Sequence, residues 1–590
     1  MGNDIRHLCP DPMEYQTLET LILRGNKSLS SIPEMFFQHM GSLMVLDLSS
    51  TGIKSLPESF SFLTNLRVLN LGNCGSLQDI SHINWLKKLE ILILEDAAVS
   101  IGPEGVLWAT NLWAQNLRFV NLGFSDRRCY LDSVFSNLLS SCGKLEQLSM
   151  SRFVGSFQEL ATLSRLTHLF LFEVVDSDNA LSREIVPCHS WPEQLEKFDI
   201  CFLERRLSYL LFSSHRRVLQ LKGTGNLAGW IKKLLRNTVS LLLAEFPQTE
   251  LISTESEIPF SWLDHLQVVN WPNLKELFDY QEPLLHDKIL FHHLKYMTID
   301  NCPCLFRLLK SEVLQKSMPK LEELRVRNCP EMLELLQFDR QFPYMTELLP
   351  SLTILELYGL RRLRGSVLQS SCCLPNLKDL KIHDCGVKCV LSFSSPRETE
   401  AMSDPLPTLA KLHIENCPEM IEIIFVTDAP NAPNASLQAQ CCFQGLMHLT
   451  IESCPRLSHL FSYKQAISMQ NLSRLYIRDC AALGAVVISQ ENEEKASAST
   501  STSATTATSA STSTHVVRHE SYHRLFPNLR QLTLYDLRQL TAFHQPAALP
   551  IDWLFLQHCC IEKCPNLQDP LLGPNTPPQN QLRFSREQRL

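Results

Sequence analysis

Cysteine and histidine are the residues of this chain whose types and spacing come nearest to a chemical site. The 590 residues include 21 cysteines and 19 histidines. Three short stretches hold several of them: Cys302 with Cys304, Cys385 with Cys389, and His558 with Cys559, Cys560 and Cys564. A structural zinc ion needs about four converging nitrogen or sulfur ligands. Because most of these cysteines already occupy a position that recurs along the chain, we expect no metal site and no other cofactor.

Motifs of phosphate-binding and nucleophilic enzymes do not occur. Gly223 and Gly225 begin a short glycine stretch, but Asn226 and Leu227 follow them. The lysine that would meet a phosphate is therefore missing from the loop. Nothing resembles the Gly-x-Ser-x-Gly turn that exposes a nucleophilic serine. The sequence thus predicts no catalytic residue, and we expect that the protein is not an enzyme.

Many cysteines recur at one place, three residues after the last apolar residue of a short pattern. This structural ladder consists of Asn26, Cys74, Cys302, Cys329, Cys385, Cys417, Cys454, Cys480 and Cys564. An asparagine amide there can satisfy backbone groups where the chain turns, and cysteine is a small, apolar substitute with a weak donor. Proline follows several of the cysteines, as at Pro303 and Pro330. Since proline fixes φ and lacks an N–H, it should end a strand and begin an extended turn.

The pattern before each ladder position is Leu-x-x-Leu-x-Leu. Clear copies are Leu18, Leu21 and Leu23; Leu43, Leu46 and Leu48; Leu66, Leu69 and Leu71; Leu321, Leu324 and Val326; and Leu472, Leu475 and Ile477. A repeat of this kind is typical of a leucine-rich-repeat solenoid. The predicted fold is an α/β solenoid: a curved leucine-rich-repeat horseshoe with a concave parallel sheet and a convex side of irregular segments and short helices.

Residues between the apolar positions should point out of the sheet, as Asp47 does between Leu46 and Leu48. Parallel stacking places such side chains about 4.8 Å apart on neighbouring strands. Arg and Tyr, which are frequent there, are enriched in protein interfaces. The predicted protein-binding residues of the concave face are Arg325, Arg327, Tyr358, Lys381, His383, His413, Glu415, Tyr476, Arg478, Tyr535, Phe119 and Phe170.

The regularity of the repeats varies along the chain. Residues 1–206 form a leucine-rich-repeat block that starts mid-repeat, 207–261 form degenerate repeats, and 262–488 form a block with the cysteine–proline pattern. Residues 489–524 are predicted to be a disordered insertion because Ser, Thr and Ala dominate them and offer nothing to bury. Residues 525–570 hold the final repeats, and 571–590 are predicted to be a flexible tail.

Net charge and the absence of targeting signals restrict both the class of partner and the cellular location that the sequence predicts. The formal net charge of −8 disfavours a nucleic-acid partner, which would require a broad basic face. The N-terminus has no apolar run of a secretion signal, and no stretch is long enough to span a membrane. We therefore expect a cytoplasmic protein with reduced cysteines. The glycosylation sequons at Asn26, Asn434 and Asn471 are interpreted as chance matches.

The chain resembles the leucine-rich-repeat region of plant coiled-coil-type nucleotide-binding leucine-rich-repeat disease resistance proteins. Ser42–Ser49, Thr51–Pro57 and Leu66–Leu69 look like their early repeats, and Asn416–Met420 looks like their late repeats. The coiled-coil and nucleotide-binding domains of that family have no counterpart in this sequence. The resemblance implies a role in defence, with a pathogen effector or a guarded host protein as the protein ligand. It also implies a nucleotide-binding switch domain, in trans, as a possible second partner.

Two other classes use similar repeats. A substrate adaptor of a ubiquitin ligase would need an N-terminal helical docking motif, which the sequence from Met1 to Tyr15 does not offer. An extracellular receptor ectodomain would need a signal peptide, capping disulfides and occupied sequons. Co-purification with ligase scaffolds would favour the first alternative, and glycans with oxidised thiols would favour the second.

Overall fold

The computed structural model describes most of the repeats and leaves out several connecting stretches. The described residues are 4–9, 14–97, 111–123, 139, 141–153, 155–174, 181–185, 191–203, 217–223, 227–248, 250–252, 260, 262–278, 291–310, 318–337, 346–369, 372–393, 404–426, 442–489, 525–545, 551 and 553–567. The predicted Ser/Thr/Ala insertion, apart from its first residue, and the predicted tail at 571–590 lie outside this part of the chain.

The chain divides into two compact units. The first consists of Met1–Pro247 and Glu257–Gln267, and the second of Gln248–Ser256 and Val268–Leu590. The main parallel sheet of the first unit contains β1 (Thr20–Ile22), β2 (Val45–Asp47), β3 (Val68–Asn70), β4 (Ile91–Ile93), β5 (Phe119–Leu122), β6 (Gln147–Met150), β7 (His168–Leu171), β8 (Lys197–Cys201), β9 (Arg217–Lys222) and β10 (Ser240–Ala244). Strand β12 (His265–Val269) lies at the boundary between the two units.

The second unit has a main parallel sheet and several small outer sheets. Its main-sheet strands are β14 (Tyr296–Asp300), β16 (Glu323–Arg327), β19 (Ile354–Tyr358), β22 (Asp379–His383), β24 (Lys411–Glu415), β26 (His448–Glu452), β28 (Arg474–Arg478), β30 (Gln531–Tyr535) and β32 (His558–Glu562). Its outer strands are β11 (Glu250–Ile252), β13 (Glu276–Phe278), β15 (Arg307–Lys310), β17 (Glu334–Gln337), β18 (Thr346–Glu347), β20 (Ser366–Gln369), β21 (Cys372–Cys373), β23 (Cys389–Phe393), β25 (Ile424–Val426), β27 (Phe461–Ser462), β29 (Ala485–Ile488) and β31 (Ala542–Gln545).

Equivalent residues of successive repeats lie directly opposite one another. Leu46 of β2 pairs with Leu21 on one side and Leu69 on the other, and Leu324 of β16 pairs with Leu355 of β19. The inward leucines are almost completely buried. Each fully buried leucine contributes about 1.5–3 kcal/mol of transfer free energy, and this contribution recurs in every repeat. The predicted leucine-rich-repeat solenoid with its parallel sheet is confirmed.

The return segments differ between the two units. The first unit has 3₁₀ helices at Glu58–Phe62, Ser81–Trp85 and Asn111–Asn116, as the predicted convex side requires. The described α-helices are Phe157–Leu160, Gly229–Asn237 and Tyr463–Ser468. In the second unit the returns also form short parallel strands, such as β20, β23 and β25, which pair in register. This outer pairing was not part of the sequence prediction.

The turn after a ladder cysteine is tight, which corrects the extended turn expected from the prolines. The N–H of Leu305 donates to the carbonyl of Cys302 at 3.2 Å, and Met332 makes the same bond to Cys329 at 3.2 Å. Proline at the second position of a four-residue turn has the φ that such a turn needs. Proline therefore folds the chain back immediately after the strand instead of extending it.

Each main-sheet strand of the second unit ends at a residue with left-handed backbone geometry. The φ angles are 54° at Asn301, 52° at Asn328 and 53° at Asn416. Asparagine tolerates this region better than most residues. Gly359 occupies the equivalent place after β19 with φ 69°, and a Cβ there would lie 3.0 Å from Oδ1 of Asn328. This geometry turns the chain out of the sheet at the same point in each repeat.

Candidate protein-binding face

The side chains of the second unit that point away from the leucine core form three rows across its main sheet, here called the open face. The first row is Tyr296, Glu323, Ile354, Asp379, Lys411, His448, Arg474, Gln531 and His558. The middle row is Thr298, Arg325, Glu356, Lys381, His413, Thr450, Tyr476, Thr533 and Cys560. The last row is Asp300, Arg327, Tyr358, His383, Glu415, Glu452, Arg478, Tyr535 and Glu562.

Glu356 lies at the centre of a charged cluster on this face. Its Oε2 atom is 2.9 Å from Nη2 of Arg327 and 3.1 Å from Nε of Arg325, and its Oε1 atom accepts a hydrogen bond from Nζ of Lys381 at 2.8 Å. Arg325 also pairs with Glu323 on its own strand. The Glu356 side chain is 14% exposed, whereas that of Lys381 is 47% exposed. One anion thus holds three cations of neighbouring strands in fixed positions.

The two carboxylates of the cluster have opposite pKa shifts. Partial burial alone would raise the pKa of Glu356, but hydrogen bonds from Lys381 and Arg327 and the charge of Arg325 outweigh it, so the pKa is lowered. Burial raises the pKa of Glu323, with Arg325 opposing the increase and Glu356 adding to it. The cluster is therefore organised around an ionised Glu356.

An aromatic and histidine group adjoins the cluster in the last row. The rings of Tyr358 and His383 stack with centroids 4.4 Å apart and an interplanar angle of 8°. Oxygens of the Glu415 carboxylate lie 3.5 Å from Nε2 of His383 and 3.2 Å from Nε2 of His413. Tyr358 remains 42% exposed. A large ring held in place by a neighbour and still open to solvent is suited to anchor a partner.

A second group lies further along the same face. The guanidinium carbon of Arg478 is 5.4 Å from the centre of the Tyr535 ring, and Nζ of Lys563 is 4.9 Å from it. Lys563 also donates to the Tyr535 hydroxyl at 2.8 Å. A hydrogen bond with Tyr476 and the charges of nearby groups raise the pKa of Arg478. These cation–ring contacts order the exposed side chains at this end of the rows.

The twelve predicted binding residues therefore fall into three places. Arg325, Arg327, Tyr358, Lys381, His383, His413 and Glu415 lie together on β16, β19, β22 and β24, while Tyr476, Arg478 and Tyr535 lie on β28 and β30. Phe119 and Phe170 lie in the first unit, on β5 and β7. These two phenylalanines are partly rather than fully exposed, and they are not register neighbours. That any of the twelve residues binds a partner stays a prediction.

The predicted ladder residues are buried at the strand ends. The thiol of Cys385 contacts the carbonyl oxygen of His383 at 3.2 Å, and that of Cys329 contacts the carbonyl oxygen of Arg327 at 3.2 Å. The Asn26 amide donates to the Leu23 carbonyl at 2.7 Å. Cys74, Cys302, Cys417, Cys454, Cys480 and Cys564 are likewise buried free thiols. Burial raises the pKa of Cys385 to about 12, so this thiol is a weak nucleophile at neutral pH.

Sequence reasoning missed the first row. These residues lie immediately before the second leucine of each copy, whereas the outward positions predicted in the second unit lie after it. Glu323 pairs with Arg325, and Lys411, His448 and Arg474 follow further along the same row. The period of two along a strand contained the signal, because residues two positions apart point to the same side.

Among the residues that the structure describes, no group of three or more His, Cys, Asp or Glu side chains could hold a metal ion. Cys302 is buried and Cys304 is exposed, so this pair of cysteines does not share one environment. Within the same described ranges, no helix has the length and apolar character needed to cross a bilayer.

Family models match both parts of the chain. Residues 244–330, 262–418, 331–481 and 430–571 match the model described as plant disease resistance protein RPS2-like, leucine-rich repeats. These matches overlap and together cover more than half of the sequence. Residues 16–75 match a general leucine rich repeat model. The family-specific matches include every row residue of the open face.

Curated relatives come from Arabidopsis thaliana. Disease resistance protein At4g27190 is 26% identical over 455 residues, which are 72% of this chain and 40% of the relative. Probable disease resistance protein At4g27220 is 27% identical over 430 residues, which are 65% of this chain and 45% of the relative. The chain thus spans less than half the length of these two relatives.

Solved structures show a more distant similarity. The Arabidopsis receptor kinase HAESA, solved in complex with the peptide hormone IDA and the co-receptor SERK1, matches with a TM-score of 0.36 at 15% sequence identity. The match covers 92% of this chain and 75% of that one. A TM-score of this size supports no inference about function.

Proposed function

This chain belongs to the plant disease resistance family whose leucine-rich repeats it matches over residues 244–571, and we propose that it is the protein-recognition part of an intracellular immune receptor. The proposed ligand is a pathogen effector or a guarded host protein. The proposed second partner is a nucleotide-binding switch domain, which the repeats would restrain until the ligand binds. The proposed location is the cytoplasm.

The observation behind this proposal is the ordered cluster around Glu356. Arg325, Arg327 and Lys381 are each held by that carboxylate, so a partner would not have to immobilise flexible side chains. Immobilising such a side chain on binding usually costs about 0.5–1.5 kcal/mol. A guanidinium has five N–H donors, so a paired arginine still has donors free for a partner's carboxylates and carbonyls.

The exposed ring of Tyr358 adds an apolar anchor beside these donors. Interface hot spots are enriched in tyrosine and arginine, and they lie near the centre of the contact area. Tyr358 and Arg327 are neighbours in register, and the stack with His383 fixes the ring. Binding energy is therefore expected to concentrate on β16, β19 and β22.

Site-specific photocrosslinking in plant tissue tests the proposal. A photoreactive phenylalanine would replace Tyr358, and a matched variant would have it at Trp85, which is 56% exposed on a 3₁₀ helix of the first unit. In pathogen-challenged tissue we expect a defined protein to crosslink at position 358 and not at position 85. A product that also forms in unchallenged tissue would identify a guarded host protein, and one that needs the pathogen would identify an effector.

A charge reversal provides the second arm of the experiment. Arg327→Glu with Lys381→Glu, added to the Tyr358 crosslinker, should greatly reduce the crosslinked product. Equal labelling at both crosslinker positions would overturn the proposal. So would an absence of product at position 358, or a product that the reversal leaves unchanged.

A further inference from the structure

A row of basic side chains lies at the strand starts of the open face, next to the cluster described above. Lys411 of β24 faces His448 of β26, and His448 faces Arg474 of β28. Neighbouring strands are about 4.8 Å apart, so the three side chains are adjacent. The next residue of the same row is Gln531, and Arg530 precedes it, one position outside the row. Lys411, Arg474 and Arg530 are all exposed.

In the part of the chain that the structure describes, no carboxylate forms an ion pair with Lys411, His448, Arg474 or Arg530. The register neighbour of Lys411 on its other side is Asp379 of β22. The pKa of His448 is lowered, first by burial and then by the charges of Arg474 and Lys411. This direction is what a group surrounded by cations should show. Lys411 and Arg474 thus lie on either side of His448, and no carboxylate lies between them in register. Folding therefore does not explain why Lys411, His448 and Arg474 are placed together.

The other edge of the same strands is acidic, and its carboxylates have partners. Glu415 contacts His413, Glu452 lies 3.9 Å from Arg478, and Asp536 lies 3.2 Å from Arg538. Four residues of strand separate the two edges, which is about 13 Å. On β24 and β26 the open face is therefore polarised, with the basic residues Lys411 and His448 at the strand starts and the paired anions Glu415 and Glu452 at the strand ends.

We propose that Lys411, His448, Arg474 and Arg530 form a docking strip for a cluster of aspartate and glutamate side chains on the protein that the open face recognises. This inference rests on the proposed function and specifies the chemistry of the partner. Met447, which precedes His448 at the same strand start, is 47% exposed, so an apolar side chain is open to solvent beside the strip. The preferred partner segment is therefore acidic with an interspersed apolar residue.

An acidic protein segment fits this surface better than a nucleic acid does. A duplex or a long single strand wide enough to cover the strip would also approach Glu415 and Glu452 at the opposite edge, where its phosphates would be repelled. The formal net charge of −8 adds to that repulsion. A compact acidic segment can occupy the strip alone and leave the acidic edge in contact with water.

Peptide binding to the full chain tests the strip. The probe is a fluorescein-labelled peptide of six glutamates and one leucine, followed by fluorescence anisotropy at low and high salt. In the strip variant, Lys411, Arg474 and Arg530 are all changed to Glu. The matched control changes Lys275, Arg364 and Lys388 to Glu; these exposed residues lie off the open face and give the same change in net charge.

The strip variant should bind the peptide at least about tenfold more weakly, because each exposed ion pair contributes modestly and three are lost. The control should change affinity by less than about twofold, and salt should weaken binding to the unmodified chain. Arg474→Gln, which changes a single exposed side chain, should give a smaller loss and guards against a folding defect in the triple variant. Equal losses in the strip and control variants would overturn the inference.

Two further outcomes separate the inference from the proposed function. A single-stranded oligonucleotide that binds more tightly than the peptide, and loses affinity in the strip variant, would overturn the acidic-protein assignment alone. If Tyr358 crosslinks its partner equally in the strip variant and in the unmodified chain, the strip is not a docking site although the proposed function stands. If no partner crosslinks at position 358 in any variant, the proposed function itself fails.

Discussion

Two residues at the same repeat position, Leu242 of β10 and Glu356 of β19, have opposite surroundings. Both lie between two inward leucines of their strand. Leu242 is 0% exposed and belongs to an apolar cluster with Cys201, Leu203, Val218 and Ala244. Glu356 is surrounded by cations whose side chains reach solvent. The leucine pattern specifies the inner side of the sheet and leaves the other side free to become a second core or a binding face.

The difference between these two regions should be visible in their energetics. In the first unit, the strands β8, β9 and β10 bury side chains on both faces, so substitutions on either face should affect stability. In the second unit, the open face is held together by ion pairs and ring contacts that are partly solvated. Substitutions there should cost less stability and should affect recognition instead.

The largest expected effect is that of Leu242→Glu. A carboxylate at this buried position would have no cation to pair with in the apolar cluster, and such a change typically costs about 3–5 kcal/mol. Hydrogen exchange should show a matching decrease in the opening free energy of β9 and β10. Thr450→Glu, at the equivalent position of β26, should cost less than about 1 kcal/mol. Similar losses in the two variants would remove the contrast between the regions.

Glu356→Gln should have the next largest effect. The amide keeps the shape of the side chain but loses the charge that holds Arg325, Arg327 and Lys381, and hydrogen bonds to charged groups contribute about 1.5–3 kcal/mol. The opening free energy of β16, β19 and β22 should decrease accordingly. Glu331→Gln breaks an exposed pair with Arg362 and should cost about 0–1 kcal/mol. A loss at Glu356 no greater than that at Glu331 would mean that the cluster is not structurally organised.

The stability difference between the unmodified chain and Glu356→Gln should depend on pH. A carboxylate with a lowered folded-state pKa stabilises the fold above its unfolded pKa, about 4.3, and this contribution is lost as the pH falls through the folded pKa. The difference should therefore be constant from pH 7 to about pH 5 and shrink below about pH 4. Glu323, whose pKa is raised, acts in the opposite direction. Because Glu356 itself adds to the raised pKa of Glu323, both proteins should also carry Glu323→Gln, so that the comparison isolates Glu356. A difference that grows on acidification would contradict the assigned direction.

Tyr358→Ala should have the smallest effect on stability. The ring is 42% exposed and contacts mainly His383, so its removal should cost at most about 1 kcal/mol. Thermal unfolding followed by circular dichroism would measure this change. A cost comparable to that of Leu242→Glu would show that this side chain belongs to a core and not to a binding face.

Part of the open face could be predicted because two periodicities coincide. Side chains alternate along a strand, and the leucine grid stacks each strand in register, so the adjacency of Arg327, Tyr358 and His383 followed from counting. The first row follows from the same rule, because it lies two residues before the middle row on each strand. The pairings could not be predicted, because which cation reaches Glu356 depends on side-chain conformations and on local twist.

Other features needed the folded chain. The outer strands β20, β23 and β25 form because return segments of successive repeats lie side by side. No local sequence pattern predicts this pairing. Of the strands buried on both faces, β9 and β10 lie in the range 207–261, where the loose leucine grid predicted degenerate repeats, and β8 lies in the preceding block. The tight turn after Cys302 depends on the hydrogen bond that the N–H of Leu305 donates to the carbonyl of Cys302. The presence of proline in the sequence did not predict this bond.

The sequence by itself determined that this protein is a leucine-rich-repeat solenoid with cysteine-lined strand ends, because spacing alone decides which side chains are buried together in every copy. Only the tertiary structure decided where the side of the main sheet that faces away from the leucine core is buried, where it is charged, and which charges remain unpaired. Those properties depend on distances between side chains of different repeats, and local spacing does not encode them.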